Sequence, residues 1–202
     1  NTWDFPGQGG LTDQFQEALT LAEEDDEVKV VIIKGAGRAF SAGHDLTTVG
    51  FVYGFGTGGP GERRPSQRAR LKVDRKWLEG CHQRLLYFPK ATIGQVHGYC
   101  IGEGLAVALC CDVSIAAEDA ILGHTEQRLG FAGSGLGTIP LLMMAAGITR
   151  ARDLLLSGRQ VSGKEAAEIG LVAKAVPPDK LEEEVEKYAR MKGLNLLGTG
   201  DF

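Results

Sequence analysis

The sequence lacks the features that mark several specialised classes of protein. Its four cysteines, at positions 81, 100, 110 and 111, form no C-x-x-C pair, so neither zinc-ligand spacing nor a disulfide framework is indicated, and we expect reduced core thiols. The 22 Lys and Arg residues are outnumbered by 26 Asp and Glu and form no basic stripe, which argues against nucleic-acid binding. No apolar run reaches the roughly 18 residues that a membrane span requires.

The composition that is present is typical of a globular domain. The chain has 202 residues, of which 43% are hydrophobic, and this is enough for one domain with a substantial core. No secretory signal is visible, so we expect a cytoplasmic protein.

Hydrophobic periodicity predicts helices that alternate with short buried strands. Apolar residues at helical spacing predict helices over 11–24, within 71–88 and over 138–146. Runs of β-branched and apolar residues predict strands over 28–34, 91–96 and 113–116. Two four-residue patterns, Ser162 to Glu165 and Asp179 to Glu182, are typical of capping boxes at the start of later helices. Together these elements predict an α/β fold with helices packed on a sheet.

Two glycine-rich turns each follow a predicted buried strand and lead into a predicted helix. The first spans residues 35–43, with a helix expected to start at residues 44–46, and the second spans residues 98–104. A helix N-terminus presents unpaired N–H groups, which suit an anion or a developing oxyanion. The alternative is that the glycines only form turns, since neither segment is a phosphate-binding loop or a complete dinucleotide motif.

Several motifs, in order along the chain, resemble those of the crotonase family, the enoyl-CoA hydratases and isomerases. Residues 35–46 (GAGRAFSAGHDL) and 95–106 (QVHGYCIGEGLA) resemble the two signature loops of that family. Residues 111–120 (CDVSIAAEDA) and 126–130 (EQRLG) resemble the segments that follow. The resemblance extends over roughly residues 11–190, which include a later helix and strand around 156–177.

The resemblance implies a fold, a substrate and an assembly. The fold would be a crotonase-like spiral of ββα units, with residues 1–192 as the core domain. Residues 193–202 would be a short tail where the family usually trimerises, and we still expect a homotrimer or a dimer of trimers. The substrate would be an acyl-CoA thioester, so coenzyme A would arrive with the substrate, with no metal and no permanently bound cofactor.

The resemblance also assigns roles to individual residues. The backbone N–H groups of His44 and Glu103 would form an oxyanion hole for the thioester oxygen, although Glu103 stands where the family usually has glycine, and Gly102 would lie beside it. Glu126 would be the catalytic carboxylate that moves the proton. His124, two residues earlier, is either a helper or a bystander.

One position departs from the hydratases of the family. They use two carboxylates, and the second would fall at Ala106, which has no proton to give. The first expectation is therefore a reaction through a thioester enolate with Glu126 as the single proton carrier, as in the isomerases. Glu103 could replace the missing carboxylate. The alternatives are an acyl-CoA hydrolase, a C–C-cleaving member, or a non-catalytic acyl-CoA-binding homologue.

A glycine- and arginine-rich segment over residues 50–68 interrupts the pattern and is predicted to be a surface loop. Its arginines, Arg63, Arg64 and Arg68, are either solvated or close to the phosphates of coenzyme A.

Overall fold

A computed structural model describes residues 2–4, 7, 9–46, 66–129 and 138–191 of the chain. In this part of the chain the α-helices are α1 (Leu11–Glu24), α2 (Gln67–Trp77), α3 (Arg84–Leu86), α4 (Glu103–Cys110), α5 (Thr138–Ala146), α6 (Ile148–Ser157), α7 (Gly163–Glu168) and α8 (Leu181–Arg190). A π-helical turn (Leu78–Gln83) joins α2 to α3, and 3₁₀-helices span Glu126–Leu129 and Pro178–Lys180. The strands are β1 (Val30–Lys34), β2 (Ala91–Val96), β3 (Tyr99–Ile101), β4 (Val113–Ala117), β5 (Ile121–Gly123), β6 (Val161–Ser162) and β7 (Lys174–Val176).

The strands form two sheets. The larger sheet has the order β1-β2-β4-β7 and is parallel throughout, with Val30 opposite Ala91 and Ile93 opposite Val113. The smaller sheet has the order β3-β5-β6, in which β3 and β5 are parallel and β6 is antiparallel. Parallel neighbours need crossover connections, which the helices supply. The predicted α/β fold is confirmed.

The path of the chain between the two sheets repeats. β2 in the large sheet is followed by β3 in the small sheet and then by α4, and β4 is followed in the same way by β5. After β1, Ser41 forms an isolated parallel bridge to Cys100 of β3, and helical backbone begins at Leu46. The segments that begin with β2 and β4 therefore follow the strand–strand–helix order of the expected spiral.

Several predicted elements are confirmed with small shifts. Helix α1, strand β2 and helix α5 have the predicted bounds, and the helix predicted within 71–88 is built from α2, the π-helical turn and α3, ending at Leu86. β1 begins at Val30 rather than at Val28, because the Val28 N–H donates to the Asp25 carbonyl in a turn. The pattern did not predict β3, β5 or β6, since runs of two or three residues carry no readable period.

The predicted helix starts have different outcomes. The Ser162 hydroxyl oxygen accepts from the Glu165 N–H at 3.1 Å, which confirms that cap. The Asp179 capping box is wrong, because Asp179 lies in a 3₁₀-helix and α8 starts two residues later at Leu181 without a side-chain cap. The helix start predicted at residues 44–46 is found at Leu46, two residues after His44, which is extended and bridged to Trp3. Most of the loop predicted at 50–68 and the tail at 193–202 lie outside the described residues.

The core lies between the parallel sheet and the helices packed against it. Val96, Ile115 and Leu142 are fully buried there. All four cysteines are buried and free, as predicted, and burial raises the pKa of the Cys81 and Cys110 thiols to about 12. Among the described residues, no helix combines the length and apolar character needed to cross a bilayer.

Asp112 directly precedes β4 and joins it to β2. Its carboxylate accepts from both the N–H and the hydroxyl of the buried Thr92, each at 2.8 Å. We expect Asp112→Ala to lower the free energy of unfolding by about 1–3 kcal/mol, because the Thr92 N–H would lose its acceptor. Urea denaturation measures this change, and Asp119→Ala, at an exposed position beyond the other end of β4, is the control. Equal midpoints for the two variants would contradict the role.

Candidate active site

The two glycine-rich turns are neighbours in space. The Ile101 N–H donates to the Ser41 carbonyl at 3.0 Å, which ties the second turn to the first. A Cβ added at Gly43 would stand 2.9 Å from the Ile101 carbonyl oxygen and 3.5 Å from the Glu103 nitrogen. Gly43 also has a φ of 89°, so both its space and its backbone favour glycine. This close approach brings the segment before His44 against the start of α4.

The backbone N–H groups of His44 and Glu103 lie at this junction. The Gly43 carbonyl accepts from the Trp3 N–H, and the Asp45 N–H donates to the Trp3 carbonyl, both at 2.8 Å. In an extended segment consecutive N–H groups point in opposite directions, so the His44 N–H points away from Trp3. Glu103 is the first residue of α4, where N–H groups have no partner within the helix. Among the described residues, neither N–H donates to another backbone group.

The Glu126 carboxylate lies against the same junction. A Cβ added at Gly102 would stand 3.1 Å from Glu126 Oε1, so glycine leaves the space that this carboxylate occupies. The Gly102 N–H donates to the Gly123 carbonyl at 2.9 Å, and the pairing of β3 with β5 brings the two segments together. The structure therefore places Glu126 next to the residue that precedes Glu103.

Burial is the main influence on the pKa of Glu126, whose side chain is only 16% exposed. Loss of hydration raises the pKa of Glu126 above the ordinary 4.5, the nearby His124 opposes this, and the Glu103 carboxylate adds to it. His124 is fully buried, with Nδ1 3.1 Å from Glu126 Oε2 and 3.4 Å from the Gln127 side-chain oxygen. The approach of Nδ1 to Oε2 is close but not aligned as a hydrogen bond. His124 is thus in contact with the candidate base.

Glu103 directs its side chain away from the junction and into the protein. Its Oε1 lies 2.5 Å from His82 Nε2, its Oε2 lies 3.7 Å from His44 Nε2, and only 6% of the residue is exposed. Burial disfavours a charged His82, but the hydrogen bond and negative charge of Glu103 outweigh it and raise the His82 pKa. Burial lowers the pKa of His44, although the negative charge of Glu103 opposes this shift. The shift favours the neutral form of His44.

His82 and the two tryptophans around His44 were not predicted from the sequence. The His44 ring packs on Trp77 with ring centroids 4.0 Å apart, and Trp3 meets Trp77 edge-on at 6.1 Å. The only available signal was a histidine among the apolar residues of the predicted helix at 71–88, and that pattern does not identify a partner.

The remaining candidates are an alanine of α4 and the arginines of the predicted loop. Ala106 is fully buried in α4, one helical turn after Glu103, with its N–H donating to the Gly102 carbonyl. Arg68 lies in the first turn of α2, and the other arginines of the loop are outside the described residues. No group of three or more potential metal ligands occurs among the residues that the structure describes.

Comparison with known proteins decides the family. The family model described as enoyl-CoA hydratase/isomerase matches residues 8–192. The chain belongs to the enoyl-CoA hydratase/isomerase family. Its crotonase fold is shared with a solved enoyl-CoA hydratase/isomerase from Xanthobacter autotrophicus, which is 33% identical, with a TM-score of 0.76 over 92% of this chain and 64% of that one.

Two curated members of the enoyl-CoA hydratase/isomerase family show the range of named reactions. A Thermus thermophilus protein, provisionally named an enoyl-CoA hydratase, is 36% identical over 86% of this chain and 63% of its own length. A peroxisomal Δ(3,5)-Δ(2,4)-dienoyl-CoA isomerase from Arabidopsis thaliana is 32% identical over 80% of this chain and 57% of its own length. The chain thus spans about three-fifths of these relatives.

Proposed function

We propose that this family member acts on acyl-CoA thioesters through an enolate-like intermediate. The backbone N–H groups of His44 and Glu103 bind the thioester oxygen, and Glu126 moves the proton. The observation that carries this proposal is the Glu126 carboxylate lying against Gly102, directly before the Glu103 N–H. Removal of a proton next to a carbonyl group requires a base close to the donors that bind the oxyanion.

The proposed reaction is the shift of a double bond. Glu126 takes a proton from C2 of a 3-enoyl-CoA, and the electron pair moves through the thioester onto its oxygen. The two N–H groups stabilise that charge, and in other enzymes loss of one such donor costs about 3–4 kcal/mol. Glu126 returns the same proton to C4, which leaves a 2-enoyl-CoA. One carboxylate is sufficient for this sequence, and the apolar Ala106 favours it over water addition.

The raised pKa of Glu126 gives the proposal a pH dependence. The base must be ionised, so kcat/KM is expected to rise with pH through the Glu126 pKa and to fall below it. Because burial raises that pKa, the acidic limb should lie above the ordinary carboxyl value of 4.5. A pH–rate profile on a 3-enoyl-CoA measures the limb, and full activity down to pH 4 would contradict a buried base.

The product formed from a small panel of thioesters tests the proposed function. The panel contains 3-hexenoyl-CoA, crotonyl-CoA and hexanoyl-CoA. The expected result is conversion of 3-hexenoyl-CoA to a conjugated 2-enoyl-CoA, which is monitored by ultraviolet absorbance. Release of free coenzyme A would instead support a hydrolase, and binding without any turnover would support a non-catalytic homologue.

We also propose that the protein assembles as a homotrimer or a dimer of trimers. Three large apolar side chains on α5 and α6 are more than half exposed: Met144 (81%), Ile148 (56%) and Leu156 (83%). Exposed apolar surface of this kind favours contact with another chain. Light scattering at micromolar concentration should give three or six times the monomer mass, and a monomer would contradict the proposal.

A further inference from the structure

Three buried ring nitrogens beside the candidate active site have no hydrogen-bond partner. They are the indole Nε1 of Trp3, the indole Nε1 of Trp77 and the ring Nδ1 of His82, on residues that are 5%, 4% and 3% exposed. The Nδ1 of the adjacent His44 also has no partner. A buried polar group without a partner costs about 1–3 kcal/mol, and native proteins contain few such groups. Several of them close together in the described part of the chain indicate a role.

The three side chains belong to one contiguous group with His44, which we term the polar cluster (Trp3, His44, Trp77 and His82). The rings of His44 and Trp77 are 4.0 Å apart, and those of Trp3 and Trp77 are 6.1 Å apart. His44 and His82 both meet the Glu103 carboxylate, which joins the two ends of the cluster. Since His44 and Glu103 also carry the proposed oxyanion N–H groups, the polar cluster lies beside the thioester position.

The chemistry of the cluster favours an oxygen atom as its ligand. An indole nitrogen can only donate, so Trp3 and Trp77 both need acceptors. His82 uses Nε2 for Glu103 and leaves Nδ1 without a partner. The buried Glu103 carboxylate beside both histidines disfavours an anion as the ligand. A neutral oxygen, as in an oxo or hydroxyl group, meets the requirement.

We infer that the polar cluster is an acyl subsite for acyl-CoA substrates that carry an oxygen function on the acyl chain. This inference rests on the proposed function, because it assumes that a thioester lies at the junction of the two turns. An unsubstituted chain leaves the donors unpaired, whereas a carbonyl oxygen accepts from two of them. Sites built to hydrogen-bond a ligand discriminate strongly against the analogue that lacks the polar group.

Calorimetric titration with matched thioesters tests the subsite without turnover. The ligands are hexanoyl-CoA, 4-oxohexanoyl-CoA and 5-oxohexanoyl-CoA, which are saturated at C2 and differ only in the ketone. At least one oxo ester is expected to bind at least tenfold more tightly than hexanoyl-CoA. Equal or tighter binding of hexanoyl-CoA than of both oxo esters would overturn the subsite and leave the proposed function intact. Failure of all three esters to bind would overturn both.

Two variants assign the preference to the cluster. His82→Gln keeps an N–H for Glu103 and removes the unpartnered ring Nδ1, and Trp77→Phe removes the indole N–H but keeps an aromatic ring. Each should reduce the oxo preference to less than threefold while the affinity for hexanoyl-CoA changes less than threefold. His97→Gln is the matched control, because this half-exposed histidine contacts the Gly37 carbonyl outside the cluster. An unchanged preference in both cluster variants would overturn the assignment.

Discussion

Glu126→Gln is expected to reduce turnover by at least about 100-fold, the contribution typical of a positioned general base. Glutamine preserves the shape of the side chain against Gly102 but cannot take a proton. The reason is specific to this geometry, because in the described part of the chain the Glu126 carboxylate touches the residue before the proposed Glu103 oxyanion donor. Steady-state rates on 3-hexenoyl-CoA measure the effect.

The control separates loss of the base from loss of the fold. Binding of hexanoyl-CoA to Glu126→Gln should stay within threefold of wild type, since the amide replaces the carboxylate without a change in volume. Glu118→Gln, at an exposed position on another turn, should retain full turnover. If Glu126→Gln turns over at a near-normal rate, the proton is moved by another group and the proposed mechanism is wrong.

Hydration of crotonyl-CoA by the wild-type protein should be slow. Two-carboxylate hydration needs one group to activate water and another to protonate carbon, and the methyl group of Ala106 does neither. A dedicated acid–base residue contributes about 10²–10⁴-fold, so the rate should be lower by that factor than in a family member that has both carboxylates. Fast hydration would show that a group other than residue 106 already supplies the second function.

Restoring a carboxylate tests the same point from the opposite direction. Ala106→Glu should raise the hydration rate above that of Ala106→Gln, which adds similar bulk without an ionisable group. Ala106 is fully buried, and overpacking a core position costs about 1–3 kcal/mol, so melting temperatures of both variants must accompany the rates. The wild-type rate decides the prediction, because a carboxylate placed 1 Å from its proper position loses much of its effect.

The sequence predicted the long elements of the fold and missed the short ones. α1 and β2 have strong local patterns, with apolar residues at helical spacing or in a continuous run, so their bounds were read correctly. β3 and β5 have three residues each, and their pairing depends on contacts between distant parts of the chain. That pairing brings Glu126 to Gly102. The family resemblance identified Glu126 as the candidate base, whereas its neighbours could be identified only from the structure.

The environment of Glu103 could not be read from sequence for a related reason. A glutamate at the start of a helix is usually solvated, whereas here it is 6% exposed and bonded to His82 at 2.5 Å. Twenty-one positions separate the two residues along the chain, and no local period connects them. The resemblance pointed to an unusual residue at this position, but only the packing of the helical segment at 78–83 against α4 identifies its partner.

The π-helical turn that holds His82 sets the rotational phase of the helix that follows it. Each residue of an α-helix advances the chain by about 100° around the axis, and a π-helical turn accommodates an additional residue within one turn. Deleting one residue within Leu78–Gln83 would therefore convert the segment into a regular α-helix while the residues on either side keep their present faces. Converting it to an α-helix of unchanged length would instead rotate the buried Leu85 by about 100°. A deletion of a single residue should therefore be better tolerated within this turn than within α2.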